Sequence, residues 1–349
     1  MDTRVFIAEC DTYDQAQAAV DRVLDAFGGA AAILDGKKRV LVKPNLIMPK
    51  KPDAAATTHP AVMAAVCAAF VKAGAEVSII DSTGGPHNKA VLKVLYSKCG
   101  MEQAAKQSGA VLSYNTKSRT VSIPGGRVIK EVSLLAPVLD AELVLSVAKA
   151  KTHGMQAMTG CMKNLFGCVP GLSKPNLHRK YPNRPDFAGM LVDVCETINP
   201  GFSILDGIWG MEGAGPTGGD PKHLRVIAGG VNPYAVDLAQ CHLMGLRRDS
   251  VHSIAEAAGR GLAPDDPAQL TWLGDDPAPL RANFLPAVKH KGDVVPSIKE
   301  NCIGCGDCVR ICPQKCMEIQ GKKAVITAQN CIRCYCCHEF CPVKAVALE

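Results

Sequence analysis

Residues 39–80, RVLVKPNLIMPKKPDAAATTHPAVMAAVCAAFVKAGAEVSII, decide the fold. Arg39–Val42 is apolar and β-branched and ends at Lys43-Pro44-Asn45. His59–Ala73 is an alanine-rich helix that stops at Gly74, and Val77–Ile80 is a second buried strand. Strand, helix, strand requires a crossover, and so a parallel pair. The same alternation extends outward. Arg4–Ala8 reads as a strand and Asp14–Phe27 as a helix; Lys89–Ser97 and Glu102–Ser108 are helical, and Ala110–Tyr114 resumes a strand. Further on come strand Leu143–Val147, helices Met155–Phe166 and Phe187–Asn199, and strand Ser203–Leu205, which opens into a glycine-rich loop, Asp206–Asp220. Strand Leu224–Ala228 and helix Pro233–Met244 follow. The expectation is an α/β fold with a mostly parallel sheet flanked by helices.

Residues 262–296 are rich in Pro and Asp and carry little periodicity. A domain boundary is expected there, which divides the chain into 1–290 and 291–349. No apolar run reaches the roughly 18 residues of a membrane span. The start of the chain lacks both the charged-then-apolar layout of a signal peptide and a twin-arginine leader, so the cytoplasm is the expected location. The formal charge of +6 is mild and spread along the chain, and aromatic residues make up only 5%. Together these speak against a nucleic-acid partner.

The chain has seventeen cysteines, ten of them within residues 302–341. Clustering in a chain without a leader points to metal rather than disulfides. Asn301-Cys-Ile-Gly-Cys recurs as Asn330-Cys-Ile-Arg-Cys. Cys302, Cys305, Cys308 and Cys312 form C-x2-C-x2-C-x3-C followed by Pro313; Cys331, Cys334, Cys337 and Cys341 repeat the pattern before Pro342. Zinc on C-x2-C pairs would leave the third and fourth cysteines and the prolines unexplained. The pattern resembles the two-cluster bacterial ferredoxin, a small α+β iron–sulfur domain. That resemblance implies two low-potential 4Fe–4S clusters. One takes Cys302, Cys305, Cys308 and Cys341; the other takes Cys331, Cys334, Cys337 and Cys312. Cys316 aligns with Ala345 and is expected to be a small core residue. Cys336 lies between two ligands, where ligand exchange or redox chemistry is conceivable.

In the large domain, Lys43, Asn45, Asp81, Lys149, Lys151, His153, Asp206 and Glu212 all follow expected strands. Ligands of open α/β sheets bind at the carboxyl ends of strands. Lys43, Lys149, Lys151 and Lys163 would together make a pocket for a carboxylate or phosphate. His59 begins a helix whose amides also favour an anion. Glu212 and His153 are the acid/base candidates, with Lys151 beside them. Taken singly, each has a plain structural use as a solvated lysine, a turn cap or a hydrogen-bonded core histidine. Asp81-Ser-Thr-Gly-Gly-Pro is a glycine-rich turn that could hold phosphate or a flavin's phosphate tail, although it matches neither nucleotide fingerprint. Cys161 and Cys168 read as buried thiols, with a metal site alongside His153 as the alternative. His178-Arg179-Lys180 reads as a solvated surface or lid segment.

Three segments carry a second resemblance: Val42-Lys-Pro-Asn-Leu46 with Thr57-Thr-His-Pro60; Lys149-Ala-Lys-Thr-His153 leading to Gly160-Cys-Met-Lys-Asn-Leu-Phe-Gly167; and Asp206-Gly207 leading to Gly210-Met-Glu-Gly-Ala-Gly-Pro-Thr217. They are similar to the domain of unknown function family numbered 362, over about residues 38–240. Its members are often fused to ferredoxin modules, and the resemblance implies no settled activity. Two functions follow as expectations. One is an iron–sulfur reductase that passes electrons to or from a small anionic substrate, or a second cofactor such as a flavin, at the strand ends. Lys43, Asn45, His59, Asp81, Lys149, Lys163, Asn164 and Asp206 would bind it. The alternative is an electron carrier or assembly factor that docks a redox partner protein. Oligomeric state and direction of electron flow are not legible.

Overall fold

The computed structural model describes residues 1–287 and 294–348. The expected boundary near 290 lies outside the described residues. The strands are β1 (Arg4–Glu9), β2 (Arg39–Pro44), β3 (Glu76–Ile79), β4 (Val111–Leu112), β5 (Ser118–Ser122), β6 (Glu131–Leu135), β7 (Leu143–His153), β8 (Ala157–Thr159), β9 (Phe202–Glu212), β10 (Asp220–Gly230) and β11 (Thr271–Gly274). The main sheet runs β11-β1-β10-β9-β7-β2-β3-β4, with β8 folded back on β7. Strands β9, β7, β2, β3 and β4 are parallel to one another, and β1 is parallel to β11. Strand β10 runs antiparallel between β1 and β9. The sheet is mixed and mostly parallel, flanked by helices on both faces.

Burial on both faces explains the opening motif. Val40 and Val42 pack into one core and Leu41 into the core on the opposite face. A strand covered on both sides reads as a continuous apolar run. The helix Pro60–Lys72 starts where His59 Nδ1 accepts the Ala61 amide at 3.2 Å and Pro60 pre-sets the first turn. Asn88, Asn183 and Asn232 cap the helices Lys89–Lys98, Arg184–Ile198 and Pro233–Leu243 in the same way.

The structure corrects four expectations. Strand β7 continues six residues past Val147, to His153, so Lys149, Lys151 and His153 lie within it. Charged residues hid this extension from pattern reading, because in isolation they look like loop. Strand β9 likewise runs through Asp206 to Glu212, and only 213–219 is loop before β10. Met155–Phe166 is not one helix but β8 and a short helix, Cys161–Asn164, that starts after Gly160. A side chain at Gly160 would collide with Asp237, whose carboxylate accepts the Cys161 and Met162 amides at 2.5 and 3.1 Å. His178-Arg179-Lys180 ends a helix, Ser173–Lys180, with His178 buried and stacked on Phe187 at 4.3 Å. Strand β11 and the separate hairpin β5–β6 were not expected; each strand is only four or five residues long, too short to carry a clear period.

The C-terminal segment carries two small sheets, β12 (Ser297–Ile298) with β15 (Val346–Ala347) and β13 (Met317–Gln320) with β14 (Lys323–Ile326). Its sequence repeat is also a backbone repeat. Gly304 and Arg333, Gly306 and Tyr335, and Lys315 and Lys344 all take positive φ. The helices Asp307–Ile311 and Cys336–Glu339 begin at equivalent positions.

Candidate functional site

At the carboxyl ends of β2 and β3, Lys43 and Asp81 form a buried ion pair, Nζ to Oδ1 2.7 Å. Lys43 also donates to the Pro44 carbonyl (2.6 Å) and to Asn164 Oδ1 (3.2 Å). Asp81 accepts the Leu46 and Ser82 amides, both at 2.6 Å. Asn164 returns its amide to the Lys43 carbonyl at 2.8 Å. Asn45 donates to Asn164 at 3.3 Å and accepts from Lys151 Nζ at 2.6 Å, and Lys151 also reaches the Ala56 carbonyl at 2.7 Å. Five of the expected residues therefore share one network. Burial lowers the Lys151 ammonium to about 7. Gly167 leaves room for this network, since a side chain there would run into Lys43 and Asp81.

This network walls a cavity of about 70 Å³, room for about five waters. Lys43, Asn45, Asp81, Lys163, Asn164, Lys174 and His178 line one part of it. Ile311, Cys336, Glu339 and Phe340 of the C-terminal segment close it. Lys174 donates to the Ser82 and Thr83 carbonyls (2.6 and 3.0 Å), and burial brings it to about 7. The Lys163 ammonium faces the Phe166 ring at 6.0 Å and has no hydrogen-bond acceptor among the described residues. Burial lowers it, against the pull of Glu339.

Lys174 and Glu339 are the charged wall residues that sequence reading missed. Burial alone would raise the Glu339 carboxyl, but His153, Lys163 and His178 around it hold it down to about 2. His153 Nδ1 accepts the Met155 and Gln156 amides at 3.0 and 3.2 Å, which leaves the proton of the neutral ring on Nε2. Nε2 sits 3.0 Å from Glu339 Oε1, off the line of a good hydrogen bond. Burial lowers His153 to about 4 and His178 to about 3, so both are neutral near pH 7. The segment is seated by further contacts. Thr217 Oγ1 donates to the Glu339 carbonyl at 2.6 Å. His338 Nε2 lies 3.3 Å from the Ala214 carbonyl. The Phe340 ring occupies the space that a side chain at Gly84 would need. The glycine-rich turn after β3 thus holds a ring.

The remaining expected residues lie elsewhere. Lys149 pairs with Asp206 at 3.0 Å and with the Tyr13 hydroxyl at 2.8 Å, and Tyr13 stacks on His59 at 3.4 Å. Asp206 Oδ2 also accepts the His59 amide at 2.8 Å. This second buried group ties β7, β9 and the start of a helix together and does not line the cavity. Glu212 accepts the Leu285 amide at 2.9 Å, with Lys222 at 3.7 Å, and is also outside the cavity. Cys161 and Cys168 belong to two different cores, and burial raises both thiols. Among the described residues, no three His, Cys, Asp or Glu side chains gather as ligands of a single metal ion.

Within the C-terminal segment two further cavities open. Cys302, Cys305, Cys308 and Cys341 line one; Cys312, Cys331, Cys334 and Cys337 line the other, with Cys316. Backbone amides point at four of these sulfurs: Ala324 to Cys302, Cys316 to Cys312, Arg333 to Cys331, and Ala345 to Cys341, at 3.1–3.4 Å. Cys316 and Ala345 are both buried, at equivalent repeat positions.

The family described as Domain of unknown function (DUF362) matches residues 40–242. The chain belongs to the DUF362 family. It is also 31% identical over 277 residues to the Thylakoid-associated protein sll1697 of Synechocystis sp. (strain ATCC 27184 / PCC 6803 / Kazusa), covering 75% of this chain and 80% of that protein. Among solved structures, it is similar to the lactate racemase apoprotein from Thermoanaerobacterium thermosaccharolyticum. There the TM-score is 0.43 and the identity 14%, over 69% of this chain and 56% of the other. The DUF362 match contains every lysine of the cavity wall but ends before Glu339. Among the described residues no helix is long and apolar enough to cross a membrane.

Proposed function

We propose that this DUF362 protein is an iron–sulfur oxidoreductase that exchanges electrons with a small anionic molecule held in the strand-end cavity. The observation that carries the reading is the cavity itself, walled on one side by Lys43, Lys163 and Lys174 and on the other by the cysteine-rich segment. The two four-cysteine cavities fit the two ligand sets that the spacing implies, and the amides directed at sulfur suit thiolates bound to a cluster. When bound, the clusters would supply single electrons at low potential. Cys305 is exposed, whereas Cys334 and Cys337 are buried, and Cys336 between them reaches the cavity wall. The second ligand set is thus the one beside the cavity. The lysines attract and orient an anion; Glu339 stands in the wall where a proton could be exchanged, with His153 behind it at 3.0 Å, and the aromatic walls limit water.

A cavity lined by lysines from one part of the chain and by the cysteine-rich segment from the other favours this reading over that of a carrier that only docks a partner. Its small volume favours a small anion over a flavin. The test is anaerobic purification of the full chain, with iron, sulfide and zinc analysis and identification of any released organic cofactor. About eight irons and eight sulfides per chain are expected. Zinc at that stoichiometry would refute the reading, and a released flavin would move the search for its site beyond this cavity.

A further inference from the structure

We infer that the cavity is a composite receptor for a small organic anion that also carries a hydroxyl or amino group, with Lys163 holding the anionic end and Glu339 accepting from the donor. Three polar groups in its wall are without a well-formed hydrogen bond. The Lys163 ammonium has no acceptor among the described residues. Glu339 Oε1 and His178 Nδ1 belong to side chains more than nine-tenths buried; Oε1 has only the poorly aligned His153 Nε2 at 3.0 Å, and His178 Nδ1 makes no hydrogen bond. A buried polar group without a partner is costly, so a native site of this kind is completed by water or by a ligand that displaces it.

The three groups make opposite demands. A simple anion would satisfy Lys163 but would meet the Glu339 carboxylate. A simple cation would do the reverse. One molecule that presents an anionic oxygen to Lys163 and an O–H or N–H to Glu339 satisfies both, and a second donor hydrogen can reach His178. The volume of about 70 Å³ admits roughly five non-hydrogen atoms, one for each water displaced. Phe166, Ile311 and Phe340 provide an apolar wall for a short carbon skeleton. Lys163 and His178 come from the DUF362 region and Glu339 from the cysteine-rich segment, so neither part alone completes the site. The inference rests on the cavity's role in the proposed function but not on the metal content.

The probes are glycolate, glycine and acetate, which differ in the group beside the carboxylate. Binding is measured anaerobically by titration calorimetry on the full-length protein as purified. Glycolate and glycine are expected to bind at least about tenfold more tightly than acetate, the worth of one hydrogen bond to a charged acceptor. Glu339→Leu should erase that preference, and Lys163→Met should weaken all three probes. If Glu339→Leu fails to fold, the wild-type preference and Lys163→Met still decide. Acetate binding as tightly as glycolate and glycine, or no binding by any of them, overturns the inference. That result with eight irons present leaves the redox proposal standing, whereas zinc with a clear glycolate preference does the opposite.

Discussion

Replacing Lys43 by Met tests whether the strand-end network is held by charge. Lys43 and Asp81 are almost wholly buried and stand 2.7 Å apart. Lys43→Met leaves the Asp81 carboxylate in the interior with only the Leu46 and Ser82 amides. Breaking one side of a buried pair costs about 3–5 kcal/mol. For a chain of 349 residues the entropy of unfolding is about 0.7 kcal/mol/K. The expected fall in Tm is therefore about 4–7 °C. Asp81→Asn should cost less, because Lys43 keeps the Pro44 carbonyl and Asn164 as acceptors. In the double variant no charge is stranded, and it should recover at least about 2 kcal/mol of the summed single losses. The assay is thermal unfolding of all four proteins at equal iron content, with denaturant midpoints as a check. Additivity within about 0.5 kcal/mol would refute the claim that the two side chains act as a pair.

Three further outcomes follow from the same geometry. His153 and His178 are held neutral in the fold, at about 4 and 3, while the unfolded chain takes up protons near 6.5. Stability is therefore expected to fall as pH drops from 7 to 5, by about 2 kcal/mol per buried histidine. His178→Gln should flatten that slope; an unchanged slope in a Tm-versus-pH series would contradict it. Gly84→Ala should drive a side chain into Phe340 and destabilise the protein by about 1–3 kcal/mol. Phe340→Leu should relieve part of this, and a lack of relief in paired melts would mean that the C-terminal segment is seated otherwise. Glu212→Gln should leave binding in the cavity unchanged, because Glu212 bonds the Leu285 amide away from it; calorimetry with the same small acids checks this.

The sheet was legible because its interior strands are covered on both faces. Val40 to Val42 and Val77 to Ile79 are apolar runs that only a buried strand explains. Helix starts were legible where a capping side chain preceded a proline or an apolar turn, as at His59 and Asn232. Strand ends were harder to place. Lys149, Lys151 and Asp206 look like loop residues until it is known that each finds a buried partner. Partners distant in sequence carry no local signal. For the same reason the sequence could gather the lysines at one edge but could not divide them. Lys43 and Lys163 line the cavity and Lys151 reaches it only through Asn45, whereas Lys149 is spent on Asp206 and Tyr13.

Glu339 was illegible for a different reason. It lies in the three-residue spacer between Cys337 and Cys341, where the cysteine pattern draws all attention and the spacer residues look interchangeable. Its equivalent in the first half of the repeat is Arg310, which is exposed and paired with Asp307. The asymmetry between the two halves was therefore written in the sequence at this position, among others such as Asp307 against Cys336 and Val309 against His338. A carboxylate stands on the half that turns toward the DUF362 strands, and a solvated guanidinium on the half that turns to water. A repeat that kept only its cysteines would need neither. The carboxylate is buried against His153 and beside an unpaired lysine. That placement gives the junction between the two parts of the chain a chemistry that neither part has alone.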